Sequence, residues 1–170
     1  MSEALLTPKP LKLLIDTNVW LDNYLGFRQG HDDARQMLLL AYKKGCTLLY
    51  PTACAKDVYY LIVQSLKHLE RKEHGELTDS ESKAIDELAW GCVTNMREVA
   101  TAVGMDQSDL WMAAKLRPLI GDLEDALVLA SGMRVDADYL VTSDKKLLSK
   151  AAVATLTVED MTRLLQALSL

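Results

Sequence analysis

The most constraining feature of the sequence is a short apolar run near its start that ends in an acid. The apolar residues 13–15 are followed directly by Asp16, Thr17 and Asn18, a combination typical of turns and helix caps. A short apolar run bounded by polar residues is typical of a buried parallel strand. In open α/β sheets, ligands and chemistry lie at the carboxyl ends of the strands. The pattern therefore predicts an α/β fold and places Asp16 at the carboxyl edge of the sheet, where such folds bind ligands.

The size and composition of the chain fit a single domain. Its 170 residues, of which 49% are hydrophobic, can bury one sizeable core, so we expect one domain over residues 1–170 with an N-terminal tail at 1–10. No stretch approaches the ~20 apolar residues that a membrane-spanning helix needs, and the start has no basic, apolar leader. Three widely spaced cysteines without a C-x-x-C pair suit a reducing compartment. We expect a cytoplasmic protein that does not bind a membrane.

The net charge limits how the chain can contact nucleic acid. Its formal charge of -5 argues against a broad basic surface that grips nucleic acid by itself. A local site is still compatible, because divalent cations held by carboxylates would leave the remaining surface closer to neutral. Lysines such as Lys56, Lys145 and Lys146 could then line a local phosphate path, although a solvated surface is the preferred interpretation for each.

Alternating strand and helix patterns predict a parallel sheet. A helix over 31–44 separates the first strand from a second at 47–50, which makes a βαβ unit. We expect Thr52 to cap a long helix that ends near residue 72, a charged loop over 70–82, and a helix over about 80–97 with Leu88 among its inward residues. The other expected elements are strands at 99–103, 139–142 and 153–156, and helices at 18–24, from a cap at Asp106 or Ser108 to 116, at 122–133, at 145–148 and at 158–168.

Four aspartates stand on separate predicted elements at positions where an unpaired charge is costly. Asp16 and Asp144 each follow an apolar strand. Asp57 and Asp125 lie near helix starts with apolar residues one turn away, so both are expected on packed faces. Burying a carboxylate without a partner is expensive, so such a group calls for a compensating charge. All four positions are compatible with one edge of the sheet.

Each acid also has a purely structural interpretation. Asp16 and Asp144 could cap helices, and Asp57 could interact favourably with a helix dipole. Asp122, three residues before Asp125, resembles the first residue of a capping box, and we prefer that role for it. The functional interpretation rests on the four aspartates taken together. No histidine or arginine accompanies these acids in the sequence to neutralise them.

Clustered carboxylates without a thiol or an imidazole favour a hard divalent cation. Mg²⁺ and Mn²⁺ take oxygen ligands, keep several waters, and are bound by a few carboxylates together with substrate phosphate. At such sites a metal-bound water is the nucleophile of phosphodiester hydrolysis. Asp16, Asp57, Asp125 and Asp144 therefore predict a metal-dependent hydrolase of phosphodiester bonds.

Two stretches of the sequence resemble the PIN domain, especially the VapC-type toxin ribonucleases of type II toxin–antitoxin modules. They are LLIDTNVWLD near the start and DLEDALVLASGMRVDADYLVTSDKKLL near the end. The resemblance implies that Asp16, Asp125 and Asp144 are metal-site acids. It also implies that Asn18 and Thr142 orient them.

The resemblance further implies an architecture, an activity and partners. The remaining metal-site acid would be Asp57 in PTACAKDVYYLI, where many relatives have Glu. The implied fold is a three-layer α/β/α sandwich around a mostly parallel sheet of about five strands. The implied activity is Mg²⁺- or Mn²⁺-dependent cleavage of single-stranded RNA by a homodimer whose site an antitoxin blocks. The helical insertion at about 64–97 is longer than a minimal member needs, and we expect it to cover the groove or bind a partner.

Two other functions stay open on the sequence alone. A metal-dependent phosphatase with an aspartyl nucleophile would also place an acid after the first strand. It usually needs a second Asp two positions on, where this chain has Asn18. A non-catalytic interaction module, in which the acids are structural, would not be stabilised by a metal ion.

Several aromatic residues lie close to the acids in the sequence. Trp20, Tyr24, Tyr59 and Tyr60 could stack on the bases of a single-stranded RNA. Core packing is the preferred interpretation for most of them, so the sequence does not identify the RNA target.

Overall fold

The computed structural model describes residues 9–150 and 153–168 and shows an open sheet. The strands are β1 (Lys12–Ile15), β2 (Thr47–Pro51), β3 (Thr101–Val103), β4 (Tyr139–Val141) and β5 (Thr155–Leu156). Within the described residues these five strands lie in the order β3-β2-β1-β4-β5, and every neighbouring pair is parallel. The tail predicted at 1–10 lies outside the described residues except for its last two.

Helices cover both faces of the sheet. Those that the described residues form are α1 (Thr17–Tyr24), α2 (His31–Lys43), α3 (Thr52–His74), α4 (Asp79–Val99), α5 (Gln107–Leu116), α6 (Leu123–Arg134), α7 (Lys145–Lys150) and α8 (Val158–Ala167). The predicted three-layer α/β/α sandwich with a parallel sheet is confirmed. Across residues 9–150 and 153–168, no helix combines the length and the apolar character that crossing a bilayer requires.

The central strand β1 contributes to both layers of the core. Leu13 and Ile15, each fully buried, pack with residues of α1, α2, α3 and α8 on one face of the sheet. Leu14 points to the opposite face, where it packs with residues of α5 and α6 that include Leu129. Successive side chains of a strand point to opposite faces, so a strand that is buried on both faces is apolar throughout. This is why residues 13–15 form an uninterrupted apolar run.

The start of α3 differs from the prediction. Pro51 occupies the N-cap position, and no side chain of the described residues caps the helix there. The hydroxyl of Thr52 instead donates a hydrogen bond to the carbonyl oxygen of Val103 at 3.0 Å. The expectation that Thr52 caps the helix was therefore wrong, because its side chain ties α3 to the end of the neighbouring strand β3.

The connection between α3 and α4 is shorter than predicted. Both helices extend into the charged loop expected over 70–82, which is reduced to residues 75–78. Gly75 has a φ of 87°, a conformation that glycine adopts without the strain that a side chain would cause. Thr78 and Glu81 form a reciprocal capping box in which each side chain accepts a hydrogen bond from the other residue's backbone N–H. This box starts α4 slightly earlier than the charge pattern suggested.

One expected core residue of α4 lies on the surface. Leu88 was predicted to point inward, but it is 51% exposed. The buried residues of this helix are Ile85, Ala89 and Met96. Consecutive helical residues are about 100° apart around the axis, so a face centred on Ala89 leaves Leu88 at its margin. The prediction for Leu88 was wrong because the buried face of α4 is narrower than its apolar pattern.

A buried ion pair joins α5 to α6. Asp109 is 1% exposed, and its carboxylate accepts hydrogen bonds from Arg134 Nε at 2.9 Å and from Nη2 at 3.1 Å. The same carboxylate accepts a hydrogen bond from the backbone N–H of Asp106, one of the two residues predicted to cap α5 and the one that does so. These three donors offset the cost of removing the carboxylate from water.

We expect Arg134→Met to destabilise the protein because it leaves the Asp109 carboxylate buried without its cation. The free energy of unfolding should fall by about 3 kcal/mol, the lower end for a broken buried pair because Arg134 itself is partly exposed. Urea unfolding measures the change. Arg163→Met is the matched control, because Arg163 pairs with Glu159 on the surface and should contribute about 1 kcal/mol or less. Equal losses in the two variants would contradict the prediction.

Candidate functional site

The strand order creates a switch point at the carboxyl edge of the sheet between β1 and β4. The chain moves from β1 outward to β2 and β3, and later adds β4 on the other side of β1. Open α/β sheets bind ligands at the carboxyl ends of the strands beside such a point. Asp16 follows β1 and Thr142 follows β4. The register pairs Ile15 with Val141, and the backbone N–H of Asp16 donates to the Val141 carbonyl oxygen at 3.0 Å, so Asp16 and Thr142 lie side by side.

The hydroxyl of Thr142 connects two of the predicted site acids. It donates a hydrogen bond to Asp16 Oδ2 at 2.7 Å and accepts one from the backbone N–H of Asp144 at 3.0 Å. Thr142 is fully buried, so this hydroxyl has no competing water. The second oxygen of Asp16 accepts a hydrogen bond from the backbone N–H of Thr17 at 2.7 Å, which caps α1. Thr142 therefore fixes the orientation of Asp16 and the position of Asp144 together.

Desolvation dominates the electrostatics of Asp16. Burial raises the pKa of its carboxyl above the ordinary value of 3.8, although hydrogen bonds from Thr142 and from the Thr17 backbone lower it. The charge of Asp144 raises this pKa further, and a hydrogen bond from Asn18 opposes that rise weakly. Because the net effect is a raised pKa, the ionised form of Asp16 is held at a cost that a nearby cation would reduce.

The start of α6 brings more acids to the same edge. Asp122 caps this helix, because its Oδ1 accepts hydrogen bonds from the backbone N–H groups of Glu124 at 2.9 Å and Asp125 at 3.1 Å. The preferred capping role is thus present, whereas the reciprocal bond of a full capping box, from the Asp122 backbone N–H to the Asp125 side chain, is not among the hydrogen bonds of the described residues. Burial raises the pKa of Asp125 most, and the charges of Asp122, Asp144 and Asp16 raise it further. The structure therefore brings Asp125 within electrostatic range of both acids at the strand ends.

Asp57 lies on α3 across an open groove from these acids. The groove has a volume of about 410 Å³, and its polar lining includes Asp57, Asp122 and Glu124; we call it the acidic groove. Lys56 Nζ contacts Asp57 Oδ1 at 2.9 Å. Asp57 is thus an acid with a cationic neighbour, and it stands apart from the group that surrounds Thr142.

The expectation that Asp57 lies on a packed face of α3 was wrong. Tyr60 and Leu61, one turn further along, are 63% and 38% exposed. The residues that α3 buries are Cys54, Val58 and Ile62, which follow one another at intervals of four. Asp57 is one position before Val58 and therefore lies beside this buried stripe, at the margin between the core and the groove.

Sequence reasoning missed Glu124, which connects the two sides of the groove. Burial raises the pKa of its carboxyl most, followed by the charges of Asp57 and Asp122 and then by those of Asp16 and Asp125. Glu124 is therefore within electrostatic range of Asp57 as well as of the acids at the sheet edge. The available signal was the acidic run Asp122, Glu124 and Asp125 at a helix start.

The carboxylate oxygens at this edge are the type of ligand that a hard divalent cation prefers. They do not form a complete coordination site among themselves. Within residues 9–150 and 153–168, no three acids, histidines or cysteines are close enough together to hold one metal ion directly. Local hydrogen bonds hold several carboxylates apart: Asp144 Oδ1, for example, accepts one from the backbone N–H of Lys146 at 2.7 Å. Mg²⁺ keeps several waters and commonly uses one or two protein carboxylates, so a dispersed set of oxygen donors is compatible with it.

Comparisons with known proteins identify similar chains. The sequence model described as "PIN domain" matches residues 12–146. VapBC2 from Rickettsia felis, solved bound to a DNA fragment from their promoter, is similar in structure, with a TM-score of 0.60, 14% identity, and coverage of 86% of this chain and 98% of that one. PAE2754 from Pyrobaculum aerophilum is similar with a TM-score of 0.56, 17% identity, and coverage of 99% of both chains. No curated protein matches the sequence. At these identities the structural likenesses show the fold.

We expect Asp125→Asn to stabilise the protein in EDTA at pH 7 by a few degrees in Tm, about 2 °C. The pKa of Asp125 is higher in the folded chain than its ordinary value of 3.8. As the pH rises above 3.8, the unfolded chain therefore loses this proton more readily than the folded chain does, and the free energy of unfolding falls. The gain from the variant should therefore shrink as the pH is lowered towards the ordinary value of 3.8, because the folded chain then takes up a proton on Asp125. Thermal unfolding followed by circular dichroism at several pH values measures this.

The matched control is Asp32→Asn, since Asp32 is an exposed acid in the first turn of α2. Its acidic neighbour Asp33 points to a different side of the helix, so the variant should give no gain in Tm. A loss of stability in Asp125→Asn at every pH would contradict the electrostatic description of the site.

Proposed function

The chain belongs to the PIN domain family, and from that premise we propose that it is a metal-dependent endoribonuclease that hydrolyses phosphodiester bonds of single-stranded RNA. The observation that carries the proposal is the pair of strand-end acids, Asp16 and Asp144, joined by the buried hydroxyl of Thr142 at the switch point. Asp125 adds a third carboxyl whose pKa is raised by burial and by the charges around it. Acids that only capped helices would have no need of this crowding.

Mg²⁺ or Mn²⁺ is the proposed cofactor. Asp16, Asp125 and Asp144 would hold it, with Asp57 contributing from α3 across the acidic groove and Glu124 from the start of α6. When bound, such an ion lowers the pKa of water to generate the nucleophile and stabilises the leaving oxygen. The proposed role of Asp57 tolerates its shorter side chain, because Glu124 supplies a longer one next to it.

The remaining residues of the proposed site act by orienting these acids. Thr142 holds the Asp16 carboxylate by a hydrogen bond, and its oxygen also positions the backbone of Asp144. Asn18, whose side chain lowers the pKa of Asp16 slightly, would orient the same carboxylate. Asp122 orients the first turn of α6 and thereby Asp125. Lys56, paired with Asp57, is the cation at the rim of the acidic groove and can contact a phosphate there.

We further propose that the protein acts in the cytoplasm as the toxin of a toxin–antitoxin pair, with a protein antitoxin as partner. The structural likeness to VapBC2 from Rickettsia felis supports this role. The free thiols of Cys46, Cys54 and Cys92 are compatible with a reducing compartment. A homodimer is part of the same proposal, because family members of this type often pair.

The proposed activity predicts that a fluorescent pool of single-stranded RNA is cleaved in the presence of Mn²⁺ or Mg²⁺ and not in EDTA. Asp16→Asn and Asp144→Asn should each lower the rate by about 100-fold or more, since both remove charge from the proposed cation site. Asp79→Asn removes an exposed acid at the start of α4, beyond the far end of α3, and should cleave at the wild-type rate. Induced expression in bacteria should arrest growth with the wild type and not with Asp144→Asn.

The same preparations separate this function from the two alternatives. A non-catalytic module predicts no cleavage and no increase in Tm with Mn²⁺, whereas a bound ion stabilises the folded state. A phosphatase predicts release of phosphate from a monoester with intact RNA. Equal cleavage by the wild type and by folded Asp144→Asn would overturn the proposed function.

Thr142→Val tests the positioning role of the hydroxyl at nearly constant volume. Cleavage should fall by about 10- to 100-fold, as for other residues that orient metal ligands, because Asp16 and Asp144 lose their shared partner. Thr142→Ser retains the hydroxyl and should recover most of the rate. The Mn²⁺ concentration required for half-maximal stabilisation in thermal unfolding should rise in the Val variant and not in the Ser variant. A serine variant as weak as the valine variant would assign the loss to packing.

A further inference from the structure

Three aromatic side chains form a compact cluster where α3 and α4 pack together. The ring centroid of Tyr59 lies 5.2 Å from that of Tyr60 and 5.4 Å from that of Trp90. Tyr60 is 63% exposed and Trp90 is 59% exposed, whereas Tyr59 is partly buried against the main core. We call Tyr59, Tyr60 and Trp90 the aromatic cluster. It is anchored on one side and open to solvent on the other.

The core residues that the two helices share do not include the exposed rings of the aromatic cluster. The buried side chains that the helices contribute to one core cluster are Cys54, Val58 and Ile62 from α3 and Ala89 and Met96 from α4. The planes of Tyr59 and Tyr60 are 86° apart, and those of Tyr59 and Trp90 are 57° apart. The central tyrosine therefore supports two rings in different orientations, each with its aromatic surface available to a planar partner.

The aromatic cluster is continuous with the acidic groove through a single cation. A second groove of about 380 Å³ is lined by the cluster together with Ala55, Lys56 and Val93. Lys56 also lines the acidic groove and contacts Asp57 there. Its side chain is 65% exposed, so the ammonium group stands in solvent at the border between the two grooves. A ligand that runs from the acidic groove along α3 passes Lys56 before it reaches the rings, because Lys56 precedes Tyr59 and Tyr60 on that helix.

We propose that the aromatic cluster stacks a base of single-stranded RNA close to the scissile phosphate, and that Lys56 holds a phosphate between them. Aromatic side chains next to a cationic group are a common way to bind single strands, because every base has a face that stacks and every nucleotide carries a phosphate. The inference rests on the proposed function for the identity of the substrate. It gives the helical insertion a role, since Trp90 belongs to that segment.

An exposed tryptophan elsewhere on the surface gives a matched control. Trp111 on α5 is 58% exposed, nearly the same as Trp90. Lys115 Nζ lies 3.5 Å from the centre of its ring, so one face of Trp111 is already covered by a cation. Trp111 does not line either groove that Lys56 borders. Loss of this ring should leave RNA binding unchanged.

The first experiment measures binding of a labelled single-stranded RNA octamer by fluorescence anisotropy in the presence of Ca²⁺, with the RNA checked for integrity afterwards. Trp90→Ala and Tyr60→Ala should each raise Kd by about 5- to 100-fold, the range for losing one stacked base. Trp90→Phe keeps an aromatic face and should retain most of the affinity. Trp111→Ala should bind as the wild type does. Unchanged affinity in both Trp90→Ala and Tyr60→Ala would overturn the proposal.

A second experiment locates the stacked base by removing it from the RNA instead of removing the ring from the protein. Octamers with one abasic residue, moved along the sequence, are bound to the wild type and to Trp90→Ala. At the stacked position the abasic residue should weaken binding to the wild type but have little further effect on the variant, because both changes remove the same contact. Additive losses at every position would overturn the proposal.

These outcomes are distinguishable from failure of the proposed nuclease activity. If the wild type binds RNA through the aromatic cluster but does not cut it with Mg²⁺ or Mn²⁺, the stacking inference stands and the nuclease proposal fails. If the RNA is cut and Trp90→Ala leaves KM unchanged, the stacking inference fails alone. A change of sedimentation in Trp90→Ala, with wild-type RNA affinity, would identify the cluster as a contact between copies of this chain and would also overturn the inference.

Discussion

The arrangement of the acids depends on one contact, the hydroxyl of Thr142 between Asp16 and the backbone of Asp144. That contact exists because β1 and β4 are parallel neighbours in a register that pairs Ile15 with Val141. A shift of this register by one residue would turn the Thr142 side chain to the opposite face of the sheet. The short strands thus control the geometry of the candidate site, because the pairing that closes the core also aligns the acids that follow each strand.

The parts of the site that follow strands could be predicted from local patterns, whereas the parts that depend on contacts between helices could not. Asp16 and Asp144 were located because an apolar run identifies a buried strand and the next residues then lie at its edge. Glu124 was missed because its pKa is raised by burial and by the charge of Asp57 on a different helix, and no sequence spacing encodes that approach. The metal-binding roles were inferred from the carboxylate pattern and from the family resemblance, and they stay a prediction for the acids of this chain.

The errors in the predicted helices have two origins, a local signal that was overlooked and contacts that lie far apart in the sequence. The capping box of Thr78 and Glu81 was a local signal that the sequence contained, and its omission made the loop between α3 and α4 too long. Thr52 was misjudged for a different reason, since its hydroxyl bonds to a residue 51 positions away in the sequence. The exposure of Leu88 likewise depends on how closely α4 approaches α3. Apolar periodicity identified the buried stripe of each helix, but the width of that stripe is decided by the neighbouring helix.

The acids near the two ends of α6 have opposite electrostatic surroundings. Near its carboxyl end, Arg134 supplies two hydrogen bonds and a full positive charge to the buried carboxylate of Asp109. At its start, Asp125 faces Asp122, Asp144 and Asp16, with only a weaker opposing influence from Lys146. The positive end of the helix dipole offsets part of this repulsion, but a dipole carries about half a charge and cannot balance several carboxylates. The fold therefore neutralises an acid where the acid has a structural role and leaves like charges together at the switch point. Such a local conflict is expected where a site binds a ligand of opposite charge, and the proposed divalent cation would relieve it.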